Sequence, residues 1–387
     1  MIAALRKLSE RIDAEWKGAG YGPGDLPAIA SRVLADSRPD REYDLGALAD
    51  WTLTAPEFPD ACNPFGPLGP PAFTVWSNPH FFVNVYVYTT PEVVVHDHDF
   101  SGAFMNLSGV TIHCTYELGG AEAIDETVHV GALRLKNIEA ISEGRVRTIE
   151  AGEGFIHQVW HISLPTVVLV VRTPPLTPSP RQFQYLRPSI ATQVFRNDSL
   201  SVGYPKRFAY TRKMAECLRT STDGVGYVKL LMRQEQPWDA VWHLMENWRY
   251  LRGTGALEDV IALGAKHQGE WFAAMEHAGM DYDVFASINW PGVVLARDRI
   301  VLALLLSFRA WRPIRKALEG LLPGVDAPAQ VLETLGSLVD AGAIALDLRP
   351  ELRPLLAGVL RDGVAVGDAK LDALLGQPLL RPLFHPL

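Results

Sequence analysis

Between Phe73 and Thr173 the chain breaks into short runs suited to strands: FFVNVYVYTT (81–90), VVVHDHDF (93–100), GAFMNLSG (102–109), TIHCTYEL (111–118), TVHVGALRLKN (127–137), RVRTIEAG (145–152) and TVVLVVRT (166–173). Val, Ile, Thr and aromatic residues fit a pleated, half-buried surface, and the Gly, Asp, Asn and Pro between the runs supply turns. Many short strands in this rhythm build a sandwich or a barrel. The block should close near Pro174-Pro175, where TPPLTPSPRQF begins a proline-rich exit.

The flanks follow a different period. Apolar residues recur at helical spacing over Ile2 to Trp16 and Leu26 to Asp36, with the turn-rich GAGYGPGD between them. APEFPDACNPFGPLGPP (55–71) is too crowded with proline for a central strand or a long helix, and reads as a loop or surface strap. From Lys206 onward the pattern is helical, with candidates at Phe208–Leu218, Trp238–Tyr250, Leu257–Leu263, Gly269–Ala278, Ala296–Leu306, Ile314–Leu322 and Ala329–Ala341. Proline or glycine marks their ends, as at Pro237, Gly264, Gly279, Pro313, Pro323 and Gly342. The sequence therefore predicts an α+β protein in three parts. Residues 1–71 form a helical extension and strap, residues 72–186 the β domain, and residues 187–387 an α-helical domain. The end of that domain, DAPAQVLETLGSLVDAGAIALDL, has the pattern of a helix followed by a short hairpin, as in a winged-helix module.

Composition narrows the function classes. With 48% hydrophobic and 21% charged residues, the chain can fill a globular core. A formal net charge of −8 gives no broad basic field, and residues 297–345 hold six Lys and Arg against five Asp and Glu. Nucleic acid is disfavoured, and the helical domain is expected to serve a homodimer or a protein partner. The N-terminus lacks the apolar core and cleavage site of a secretory signal, and the longest apolar runs are too short for a bilayer, so a cytoplasmic protein off the membrane is expected. Cys62, Cys114 and Cys217 are odd in number and widely spaced, which suggests neither a disulfide framework nor a cysteine metal site.

Seven of the eleven histidines (His80, His96, His98, His113, His129, His157 and His161) fall in the β block. On a strand, residues i and i+2 face the same way with Cα atoms about 6.5 to 7 Å apart, so His96 and His98 can reach one ion. His157, after Gly152 and Gly154 and ahead of another strand, is the best third ligand. The plainer reading makes His96 and His98 polar loop residues at a strand end. In the helical domain, Glu270, Glu276, His277, His243 and Glu246 lack the Glu-x-x-His pairs of a dimetal bundle and read as surface chemistry.

HDHDFSGAFMNLSG together with GEGFIHQVWHISLPTVVLVVRTPP resembles the two cupin motifs, in the form they take in cysteine dioxygenase-type (thiol dioxygenase) cupins. The likeness covers about residues 73–175. It implies a double-stranded β-helix barrel and a three-histidine mononuclear iron(II) site of His96, His98 and His157. Three imidazoles also suit Zn, Ni, Cu or Mn. The usual cupin glutamate is missing after His98, which favours the three-histidine subtype.

The departures are informative. The position of the family's crosslinking cysteine is Ala103. Its Ser, His and Tyr relay becomes Val168, Val170 and Arg172, and no Lys or Arg occurs from Trp51 to Leu133 to pin a substrate carboxylate upstream. Cysteine bound in the familiar way is thus disfavoured. Arg172 is either an anchor for a carboxylate or phosphate or half of an ion pair with an acid such as Glu150. Tyr86 lies with Asn84 and Tyr88 on one strand face, opposite Val83, Val85 and Val87, and either face could line the interior. The Tyr86 phenol is a candidate to hydrogen-bond an oxygen species, although packing is the commoner role. His161, in place of the cupin asparagine, is expected to hold His157 or to act as an alternative ligand. His113 reads as a structural strand histidine.

The leading functional expectation is an iron-dependent oxygenase in which a small anionic or thiol-containing substrate and O2 meet at the open metal face. The alternatives are an O2-independent metal-dependent isomerase or lyase, and a non-catalytic sensor or a partner protein in a peptide-modifying complex.

Overall fold

The computed structural model describes residues 1–61, 72–91, 94–176, 181–194, 203–220, 223–233, 236–346, 348, 352–362 and 377–383. Most of the proline-rich strap, at 62–71, lies outside the described residues, as do Glu92 and Val93 at the start of the expected H-x-H strand. The fold is α+β, with two compact units: residues 1–116 with 136–183, and residues 117–135 with 184–387.

In the first unit three helices, α1 (Ile2–Gly18), α2 (Leu26–Ser37) and α3 (Leu45–Thr54), precede the strands. α1 buries Leu5, Leu8, Ile12 and Trp16 along one stripe, the spacing of a helix packed on a layer. That layer is a sheet of order β1-β2-β8-β3-β6, made by β1 (Phe73–Ser77), β2 (Phe82–Tyr88), β8 (Thr166–Arg172), β3 (Gly102–Ser108) and β6 (Val146–Ile149). Its odd-numbered residues Val83, Val85, Ala103, Met105, Val167, Leu169 and Val171 pack with α1 and α2 into one core. The N-terminal helices are therefore part of the β unit's core. At Gly102 the strands come so close that a Cβ would collide with the Val171 carbonyl, so glycine is required there.

The second sheet has the order β7-β4-β5-β10-β9, from β7 (Ile156–His161), β4 (Thr111–Ala123), β5 (Val128–Ile141), β10 (Ile190–Gln193) and β9 (Phe183–Leu186). β9 and β10 follow the proline-rich exit, in a stretch where the sequence pattern marked no strand. Among the described residues the strands fall into two five-stranded sheets and no ladder closes them into one ring. Within the first unit the sheets face each other across Phe100, Phe104, Ile141, Ile149, Val168 and Val170, with Tyr86, Tyr88 and Phe155 packed against them.

The second unit is mainly helical: α4 (Gly203–Leu218), α5 (Gly224–Leu231), α6 (Pro237–Gly253), α7 (Leu257–Gln268), α8 (Met275–Ser287), α9 (Ala296–Ser307), α10 (Trp311–Leu321), α11 (Ala327–Asp340) and α12 (Arg353–Asp362). Val128, Leu186 and Ile190 of its strands share a core with Leu231, Leu244, Trp248 and Phe272. Gly264 and Gly279, expected to end helices, lie inside α7 and α8, because the Phe272 and Trp248 rings occupy the space a Cβ would need. Among the described residues no strand follows α11, so the helix-then-hairpin pattern is not realised there. No helix among the described residues is long and apolar enough to cross a membrane.

Candidate metal centre

His157 sits near the start of β7, where alternation puts His157, Val159 and His161 on one face. Across the ladder β4 places Thr115 opposite His157, His113 opposite Val159 and Thr111 opposite His161. His96 is not on a regular strand. It makes one reciprocal bridge with His157, N–H to O at 2.9 Å and O from N–H at 2.8 Å, and the pairing then stops. The next residues bond to several different segments. Asp97 N–H donates to Phe183 O at 3.0 Å, and the Asp97 carboxylate accepts the Phe183 N–H at 2.6 Å. The His98 carbonyl accepts the Gly152 N–H at 2.6 Å, and Gly152 takes the positive φ of 72° that glycine tolerates. The expected strand over 93–100 is therefore a tethered loop where it is described, and the two histidines converge because these tethers fix them.

Convergence is close. Ring centroids lie 4.8 Å apart for His96–His98, 4.6 Å for His96–His157 and 4.9 Å for His98–His157. One nitrogen from each histidine lies within 4.8 Å of the others, and all three residues are buried. His98 Nε2 and His157 Nε2 are 2.9 Å apart. Two nitrogens at right angles around a metal, each with a bond of about 2.05 Å, would be about 2.9 Å apart.

The partners of the remaining ring nitrogens fix the tautomer of His96. His96 Nδ1 lies 2.8 Å from the Val94 carbonyl, which can only accept, so His96 carries its proton there and leaves Nε2 as a lone pair. His157 Nδ1 lies 2.8 Å from His113 Nε2. Burial pushes His96 down to about 4 and holds His98 and His157 well below the usual histidine range, so all three are neutral at pH 7. Three neutral, buried, converging imidazoles fit a divalent transition metal.

The placement of the other candidates sorts them. His161 is not bonded to His157. It stacks on Tyr88 at 3.9 Å, and neither ring nitrogen has a hydrogen-bond partner among the described residues. Burial alone lowers its pKa to about 3. The contact with His157 comes instead from His113, which alternation in β4 turns toward the same interior. Behind His113, Glu139 Oε1 lies 3.8 Å from Nδ1, and Arg147 Nε donates to the same oxygen at 2.9 Å. A histidine two residues along the neighbouring strand was the available signal, but its use required the register.

Tyr86 is half-buried on the interior face, opposite Val168, and its ring lies 6.1 Å from that of Tyr88. The even-numbered residues of β2, β3 and β8 are thus the interior set, which answers the question the sequence left open. Arg172 is buried, with its guanidinium 4.0 Å from the centre of the Phe100 ring. Phe100 in turn lies 4.5 Å from His98, so a fixed positive charge stands one ring away from the centre. Asn84 is fully buried on the same face, and neither its Oδ1 nor its Nδ2 has a hydrogen-bond partner among the described residues. In the helical unit His243 is buried and bonded to Thr211 Oγ1 at 2.9 Å, a core rather than a surface histidine.

No family model matches the sequence, and no curated protein matches it. Among solved structures the chain is similar to an uncharacterized conserved protein with a double-stranded beta-helix domain from Klebsiella pneumoniae subsp. pneumoniae MGH 78578. The identity is 13%, the match covers 37% of this chain and 95% of that one, and the TM-score is 0.20. The function is therefore argued from the site's own geometry.

Proposed function

We propose that the protein is a metal-dependent cupin in which His96, His98 and His157 hold one divalent ion, iron(II) foremost, and that it is an oxygenase for a small anionic or thiol-containing molecule. The observation that carries this reading is the convergence of three buried, neutral imidazoles, with His98 Nε2 and His157 Nε2 2.9 Å apart. Bound there, a divalent metal would supply Lewis-acid and redox chemistry to substrate and O2. The chain's own residues do the rest. Phe100, Phe104, Phe155, Val168 and Val170 keep the interior apolar, which strengthens every charge interaction within it. Arg172 holds a positive charge beside His98 and favours an anionic group on the substrate side. In this reading the Tyr86 phenol, half-buried on the same interior face, donates a hydrogen bond to the substrate or to O2.

The test is oxygen consumption by the iron(II)-loaded protein with a panel of small thiols and carboxylates. The reading expects uptake with at least one of them, lost in His98→Ala and weakened in Arg172→Gln. Turnover that persists without O2 would move the reading to a metal-dependent isomerase or lyase.

A further inference from the structure

We infer that Glu139, acting through His113, is a positioning residue that fixes the protonation pattern by which His157 offers its metal-binding nitrogen. The inference rests on the metal reading above and adds a residue that reaches the centre only through two intervening rings.

The logic is one of counting protons. The contact between His157 Nδ1 and His113 Nε2, at 2.8 Å, holds a single proton. A neutral imidazole carries one proton, on one or other of its two ring nitrogens. Two arrangements are then possible. In the first, His157 carries its proton on Nδ1 and donates it to His113 Nε2, which leaves His157 Nε2 a lone pair facing His98. In the second, His113 carries its proton on Nε2 and donates to His157 Nδ1. His157 then carries its own proton on Nε2, where the metal would sit. The chain must select the first arrangement for the metal to bind.

The selecting group is on the far side of His113. In the first arrangement His113 bears its proton on Nδ1, and Glu139 Oε1 faces that atom at 3.8 Å. This is longer than a hydrogen bond, but near enough for a carboxylate charge to favour a proton on Nδ1 over a lone pair. Glu139 accepts only while it is ionised, and its ion pair with Arg147 favours that state. Arg147 fixes the carboxylate with two bonds, Nε to Oε1 at 2.9 Å and Nη2 to Oε2. The Glu139 and Arg147 side chains keep 28% and 31% of their surface exposed, whereas His113 is buried, so the carboxylate remains hydrated while its field acts inward. An exposed ion pair of this kind adds little stability by itself. Its effect here is directional: a negative charge aimed at one nitrogen of a buried ring.

Two readings on the full-length protein test this. In the metal-free wild type, long-range proton–nitrogen correlation of labelled histidines should show His157 and His113 each protonated at Nδ1. In Glu139→Gln, whose amide also donates, both rings should become mixtures of tautomers. Zinc affinity, measured by competition with a chelating dye, should fall about tenfold or more in Glu139→Gln. It should fall less in Arg147→Gln, which keeps the carboxylate. The melting temperature of metal-free Glu139→Gln should stay near that of the wild type, which separates the effect from simple loss of folding. A wild-type His157 protonated at Nε2 would overturn the inference, and so would Glu139→Gln with unmixed tautomers and wild-type zinc affinity. Zinc binding that survives in His157→Ala would instead remove the metal reading on which the inference stands.

Discussion

The odd-numbered residues of β2, β3 and β8 include Val83, Val85, Ala103, Met105, Val167, Leu169 and Val171, and each is 0% exposed against the N-terminal helices. On the other face of the same strands Phe104, Val168, Val170 and Arg172 keep 6%, 7%, 9% and 6% of their surface. β8 is flanked by β2 and β3, so its residual exposure comes from the face and not from an edge. One face is therefore sealed throughout, whereas the other is sealed at Asn84 and Asn106 and keeps a small residual exposure at Phe104, Val168, Val170 and Arg172. The same ladder of hydrogen bonds serves as scaffold on one side and as chamber wall on the other. The two differ in chemistry: the odd positions named are apolar throughout, whereas the even ones add aromatic, amide and guanidinium groups to Val168 and Val170.

Truncation should separate the faces most sharply. Met105→Ala or Leu169→Ala removes atoms from a filled core and should lower stability by about 2–5 kcal/mol in urea denaturation. Val170→Ala, on the face that keeps residual exposure, should cost only about 1–2 kcal/mol, the loss of two buried carbons. Equal losses on the two faces would mean that both are solid core.

Acid should act on the chamber side. His161 is buried there with its pKa lowered to about 3 from the usual 6.5. A histidine whose folded pKa lies below its unfolded value binds fewer protons in the folded state. Its contribution is therefore fully present above pH 6.5 and is lost as the pH falls toward 3. For one such imidazole the loss at pH 5.5 is about 1.4 kcal/mol. Metal-free protein should be less stable at pH 5.5 than at pH 7.5, and His161→Leu should flatten that slope; an unchanged slope would place His161 in water.

The smallest effect is expected on the outer surface of the helical layer. Glu15 pairs with Arg11 at 2.9 Å and Arg32 at 2.5 Å, all partly exposed. Glu15→Gln should change stability by less than about 1 kcal/mol, and by less still in high salt. A larger loss would show that this layer depends on charge as well as on Leu5, Leu8, Ile12 and Trp16.

What could be read in advance followed from local pattern. The stripe of Leu5, Leu8, Ile12 and Trp16 marked α1, and the alternation of Val83, Val85 and Val87 with Asn84, Tyr86 and Tyr88 marked β2 with its two unlike faces. His96, His98 and His157 stood out by spacing and by resemblance, and the structure brings them together. What escaped depended on contacts between distant segments. The i and i+2 argument for His96 and His98 presupposed a strand, whereas Phe183, Gly152 and His157 tether that segment as a loop. Gly264 and Gly279 looked like helix ends, because the rings that need their missing side chains come from Phe272 and Trp248. α5 begins Gly-Val-Gly, a poor helix start by propensity, and is held by Val228 and Leu231 in the helical core. His161 was expected to hold His157 and His113 to be structural, whereas it is His113 that lies against His157 while His161 stacks on Tyr88.

The central claim is that the chamber face carries a three-histidine metal centre. Elemental analysis of the purified wild-type protein beside His96→Ala and His157→Ala tests it most directly. The wild type should hold about one equivalent of a divalent transition metal per chain, and both variants should hold almost none while retaining the fold. Metal bound equally by all three proteins would contradict the account.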